Sequence, residues 1–212
     1  MVYTKDFWFY LLSLPASACA IGLHEYVRAL VSFRQGDPLP KRRMRPNPFP
    51  HLDPLGLIVM LLTGYGWARP APVNAAQYAD RRRGALIMNA VPILASIITG
   101  CAAASVSHLY KILLLKSAAP FEGGVWNFNF ALYRMLFLFA RANLAVAFLN
   151  VLPVYPLGGN AILAAFLPPN DAVKLAALEK LTQLILLFAL ASGLISAVFE
   201  PMIRTLLKFA AI

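Results

Sequence analysis

The chain has 212 residues, of which 60% are hydrophobic and 13% charged, and its mean hydropathy is +0.67. A soluble domain carries about 25% charged residues, so this composition excludes a soluble enzyme and a disordered chain and predicts an integral membrane protein. Nineteen Lys and Arg against nine Asp and Glu give a net charge of +10, which reads as a topology signal rather than a nucleic-acid footprint. Cys19 and Cys101 both lie in apolar runs and imply neither a disulfide framework nor a Cys-based zinc site.

The first apolar run begins at Phe7 and continues in helical register to Phe33. Lys5 ahead of it and Ala16-Ser17-Ala18 within it resemble a signal peptide and its cleavage site; the expectation adopted is a first membrane helix over 7–33. An insert follows over 34–83, with nine basic residues against three acidic ones. The positive-inside rule places it in the cytoplasm and the N-terminus on the opposite side. Its centre, Leu55 to Tyr65, is apolar but too short to span, and Pro38, Pro40, Pro46, Pro48, Pro50 and Pro54 argue against helix. A re-entrant or short β-hairpin segment at the membrane surface is expected there. Arg81-Arg82-Arg83 reads as a topology anchor against anionic lipid.

The second span is expected over 84–112 and the third over 128–152. Arg134 and Arg141 interrupt the third and, seven residues apart, lie close to one helix face. They either snorkel, pair inside the bundle or meet a partner subunit. Pro153, Pro156, Gly158 and Gly159 then break an uncharged stretch, which predicts a re-entrant segment over 153–170 lining a site. A fourth span over 178–199 and a short amphipathic tail with Arg204 and Lys208 complete the chain. The expected architecture is an all-α polytopic membrane protein, one membrane domain of about four spans.

Near the cytoplasmic end of the first span stands His24-Glu25-Tyr26-Val27-Arg28, an H-E-x-x-H motif whose last letter is changed. The complete motif works because positions i and i+4 share a helix face, so two imidazoles grip Zn²⁺ while the Glu acts as general base on a metal-bound water. Further along come Gly36-Asp37-Pro38, Asn47-Pro48, His51-Leu52-Asp53-Pro54, Gly66-Trp67-Ala68-Arg69-Pro70-Ala71-Pro72-Val73-Asn74, Asn89-Ala90-Val91-Pro92, and Asn150 to Gly159 with Pro153 and Pro156. In this order, from about residue 20 to 165, the series resembles the site-2 protease family of intramembrane zinc metalloproteases.

The resemblance implies a three-helix catalytic core with two His ligands and the catalytic Glu on its first helix, and an Asp ligand from a distant L-D-G motif. By position, His24 matches the first ligand and Glu25 the general base. Arg28 stands in place of the second His, Gly158 in place of the Asp, and Val91 in place of the Gly before Pro92. A catalytic zinc takes three protein ligands and a water, and a guanidinium places a permanent positive charge where the metal would sit. The expectation is therefore a pseudoprotease in which His24 and Glu25 are vestigial and zinc is absent. Arg28 would replace the metal as the cation for Glu25, at i,i+3, or for Asp53. Such a chain would serve as a binding or scaffold subunit of a hetero-complex, touching lipids and transmembrane segments of other proteins but no nucleic acid. Its contacts would come from His51, Asp53, Asn150, Pro153, Pro156, Arg134 and Arg141.

Three other readings stay open on the residues. His24 is readable as an ordinary hydrogen-bonded core histidine rather than a surviving ligand. A working zinc protease would need replacement ligands drawn from His24, Glu25, His51 and Asp53. A cofactor-holding subunit of an electron-transfer or light-harvesting complex would use His108 or His24 as axial ligand to a haem or a pigment magnesium.

Overall fold

A computed structural model describes residues 7–45, 47–114, 121–122 and 125–210; Lys5 and Pro46, invoked above, lie outside the described residues. The helices in chain order are α1 (Phe7–Arg34), α2 (Pro54–Thr63), α3 (Arg81–Leu114), α4 (Phe128–Asn150), α5 (Gly158–Phe166), α6 (Pro169–Ala177), α7 (Glu179–Ala191) and α8 (Leu194–Phe209). α1, α3 and α4 are each long and apolar enough to cross a membrane, and the chain is an integral, multi-pass, all-α membrane protein. These three pack on one another more extensively than any other elements, α3 against α4 most of all. α5 then lies on α3, and α8 lies on α4.

Local chemistry sets the helix ends. Asn127 caps α4, its Oδ1 accepting from Phe130 N at 3.0 Å, and Asp80 Oδ1 accepts from Arg83 N at 3.0 Å where α3 begins. Pro15 and Pro92 sit inside α1 and α3, where each removes one backbone donor from the ladder.

The insert departs from expectation at its centre. Its apolar stretch forms the helix α2 rather than a hairpin or small sheet, and among the described residues of the insert strand-like pairing is limited to one antiparallel bridge, Leu52 to Ala68. The prolines misdirect because Pro54 occupies the first helical position, where its missing N–H costs nothing. Asp53 supplies the N-cap, accepting from Leu55 N at 2.9 Å and Gly56 N at 3.3 Å. Gly64 ends the helix in the left-handed region, φ 88°. Short 3-10 turns, Leu39–Arg43, Phe49–His51 and Ala75–Gln77, make up much of the remainder. A two-residue antiparallel ladder, Phe121–Glu122 with Val125–Trp126, lies between α3 and α4 instead.

The insert is tied to the bundle through Asp37, which is fully buried. Its Oδ2 accepts from Ser32 Oγ on α1 at 3.0 Å and from Asn74 N at 2.6 Å, so the Gly-Asp-Pro and Pro-Val-Asn motifs are two halves of one contact. Ser32 Oγ also lies 2.8 Å from the Tyr78 hydroxyl.

The last apolar stretch is not one straight helix. α7 and α8 meet at a 66° bend, where Gly193 adopts φ 78°. A left-handed residue cannot continue a right-handed helix, so the span expected over 178–199 is broken near its C-terminal end.

Candidate functional site

His24 and Glu25 lie on the buried face of α1, 3% and 2% exposed. His24 Nδ1 is 3.0 Å from Ser96 Oγ on α3, so one ring nitrogen is already committed to the neighbouring helix. Arg28 turns back along α1, and its Nη1 lies 3.3 Å from Glu25 Oε1. The same carboxylate oxygen accepts the backbone N–H of Ala71 at 2.5 Å. The two candidate partners for Arg28 are thereby separated: Glu25 takes the guanidinium, and Asp53 does not. Asp53 is spent on capping α2 and on accepting from Trp67 Nε1 at 3.3 Å.

The loop that reaches Glu25 is held on its other side by backbone. Arg69 N donates to His51 O at 2.8 Å, beside the Leu52 to Ala68 bridge. His51 is fully buried; its Nε2 is 3.4 Å from Arg45 O, and its Nδ1 finds no partner among the described residues. Burial lowers its pKa below the ordinary 6.5, against a smaller upward pull from the Arg45 carbonyl and from the Glu25 charge.

Gly158 opens α5, which lies on α3. Its N–H donates to Asn150 Oδ1 at 3.0 Å, while Asn150 Nδ2 donates back to Val146 O at 2.9 Å. The asparagine thus joins the end of α4 to the start of α5. Pro153 and Pro156 shape the turn between them, Pro156 through a cis bond after Tyr155. A Cβ on Gly158 would stand 3.3 Å from Asn89 Oδ1, an oxygen that is buried and without a hydrogen-bond partner among the described residues.

These residues do not fit a catalytic zinc. Arg28 holds the carboxylate that would face the metal-bound water, and Gly158 offers no side-chain ligand. Among the described residues no group of three or more His, Cys, Asp or Glu is placed to hold a metal ion, so His24, Glu25, His51 and Asp53 do not converge as a replacement set.

Two predicted residues lie elsewhere. Arg134 sits over the Phe130 ring, 5.8 Å from its centroid. Arg141, midway along α4, pairs with Glu200 of α8 at 2.8 Å and lies 5.9 Å from the Tyr65 ring centroid. His108 lines a cavity of about 140 Å³ between α3, α4 and α8.

Sequence reasoning missed Ser96 and Glu200, and it named Asn89 and Ala71 only as members of their motifs, without a role. Ser96 looks like an incidental polar residue in a spanning helix, and Ala71 acts through its backbone. Only Glu200 carried a signal, as an acidic residue in an apolar segment.

The order of motifs along the chain gains weight from a relative. A Bacillus subtilis (strain 168) protein described as "Putative zinc metalloprotease YwhC" is 33% identical over 187 residues, which covers 86% of this chain and 81% of that protein. The chain belongs to the site-2 protease family. No family model matches it, and no solved structure does. The chain reads His-Glu-x-x-Arg over 24–28 on α1 and Leu-Gly-Gly over 157–159 at the start of α5.

Proposed function

We propose that this chain is a non-catalytic member of the site-2 protease family, a pseudoprotease acting as a binding or scaffold subunit of a membrane protein complex. The observation that carries the reading is the state of Glu25: its carboxylate is engaged by the Arg28 guanidinium at 3.3 Å and by the Ala71 N–H at 2.5 Å. Both donors converge on Oε1, so a fixed guanidinium already faces the carboxylate that a general base would turn toward a metal-bound water. Arg28 supplies the positive charge that burial of Glu25 requires, in the place where the family resemblance puts a metal ligand.

The binding role is inferred from what stays exposed. Leu94, Ile98, Leu109 and Ile112 of α3 present a broad apolar face, suited to lipid and to the transmembrane segments of a hetero-complex. In this reading the basic insert, 34–83, lies in the cytoplasm and the N-terminus on the other side.

Elemental analysis of the purified full-length protein, beside an Arg28→His, Gly158→Asp variant, tests the proposal. The natural chain is expected to carry far less than one zinc per molecule and to cleave no membrane-embedded substrate. Near-equimolar zinc in the natural chain, with a cleavage activity abolished by Glu25→Gln, would overturn the pseudoprotease. A purified chain that is monomeric and retains no specific partner from native membranes would overturn the scaffold role.

A further inference from the structure

The cavity beside His108 is remote from the His24–Glu25 site. Ser96, which holds His24, precedes His108 by three helical turns, about 18 Å along α3. His108 and Lys111 share one face of α3 at i,i+3, and Tyr133 and Phe137 of α4 face them across the gap, with Leu207 of α8 closing one side. At about 140 Å³ the cavity far exceeds the ~10–15 Å³ that one water needs.

Its chemistry is one-sided. None of the residues lining it is acidic, and Lys111 forms no ion pair among the described residues. Ser107, also in the lining, spends its hydroxyl proton on Tyr133 O at 3.4 Å, which leaves the Lys111 ammonium, the Tyr133 hydroxyl and the His108 ring as donors. Phe137 and Leu207 provide an apolar wall. Lys111 lies in the last turn of α3, which ends at Leu114, so the donors stand within about 5–9 Å of the helix end. α3 has 34 residues, roughly 50 Å against a hydrocarbon core of about 30 Å, so its last turn reaches the headgroup level.

We infer that this cavity is a binding site for the phosphate headgroup of an anionic phospholipid. Lys111 supplies the counter-charge, Tyr133 and His108 donate to the phosphate oxygens, and the acyl chains lie along Phe137 and Leu207. The apolar wall and the depth favour a lipid over free phosphate, which would take the same donors but gain nothing from the wall.

Native mass spectrometry of the full-length protein in neutral detergent decides this, with phosphatidylglycerol, phosphatidylcholine and inorganic phosphate as separate probes. One phosphatidylglycerol per chain should survive delipidation. Lys111→Gln should weaken its retention roughly tenfold, the scale of one charge-assisted hydrogen bond, Tyr133→Phe less so, and Lys111→Arg should restore it. Unchanged melting of the lipid-free Lys111→Gln protein establishes that the variant folds. The inference is overturned if phosphatidylcholine is held as well as phosphatidylglycerol, or if Lys111→Gln retains the lipid undiminished. Displacement of the lipid by millimolar inorganic phosphate would also overturn it, and would mark a soluble-anion site instead.

Discussion

Removing the guanidinium at position 28 leaves the buried Glu25 carboxylate without its cation. Breaking one partner of a buried pair costs about 3–5 kcal/mol, whereas replacing both with uncharged residues of similar shape costs far less. Arg28→Ala should therefore unfold at markedly lower denaturant in detergent, and Glu25→Gln with Arg28→Met should recover most of the loss. Equal stability of Arg28→Ala and the natural chain would show that Arg28 anchors nothing. His51 gives a pH signature. Its folded pKa lies below 6.5 because burial disfavours the charged ring, so the unfolded chain takes up the proton first as pH falls. Stability is thus fully present above about pH 6.5 and is lost below it. Thermal scans between pH 7 and pH 5 should show a fall in midpoint that is smaller in His51→Gln. The Glu25–Arg28 pairing was legible, since the i,i+3 spacing and the cost of an uncompensated carboxylate both stand in the sequence. Ser96 beside His24 was not, because a serine in an apolar helix carries no sign of which neighbour it meets.

At the scale of elements, α2 and the α7–α8 break depend on two glycines in the left-handed region, and they separate two effects. Nothing lies within 4 Å of a Cβ built on Gly193, whereas one on Gly64 would stand 2.6 Å from Arg141 Nη1. Gly193→Ala should cost only the conformational term, about 1–2 kcal/mol. Gly64→Ala should cost more, because the guanidinium must also move off the end of α2, and chemical denaturation of the two variants side by side measures the difference. Asp53, Pro54 and Gly64 are a cap, a first-turn proline and a terminating glycine, so α2 was readable; counting prolines across the insert hid it. The break at Gly193 was harder to read, because a single glycine in an apolar helical pattern is often tolerated.

For the whole molecule, the three long helices followed from apolar runs of sufficient length, α4 despite Arg134 and Arg141, and the motif order carried the family. Orientation rests on charge alone and is open to a direct test. With Cys19 and Cys101 replaced by Ala, a cysteine introduced at Arg42 should resist a membrane-impermeant thiol reagent in intact cells and react once the membrane is opened. Labelling in intact cells would place the insert on the outer side. The attachment of α8 to α4 was not legible, since Arg141 and Glu200 are 59 positions apart and no periodicity links residues at that distance.

That separation bears on how the protein is made. Arg141 leaves the ribosome well before Glu200 exists, and at about 5–20 residues per second the interval is roughly 3–12 s. During it the guanidinium, midway along a nascent helix, has the Tyr65 ring within reach but no carboxylate. Until α8 is made, α4 holds this guanidinium without the carboxylate it meets in the folded bundle. Synthesis of α8 then supplies Glu200 and, with it, the pair that fixes α8 on α4.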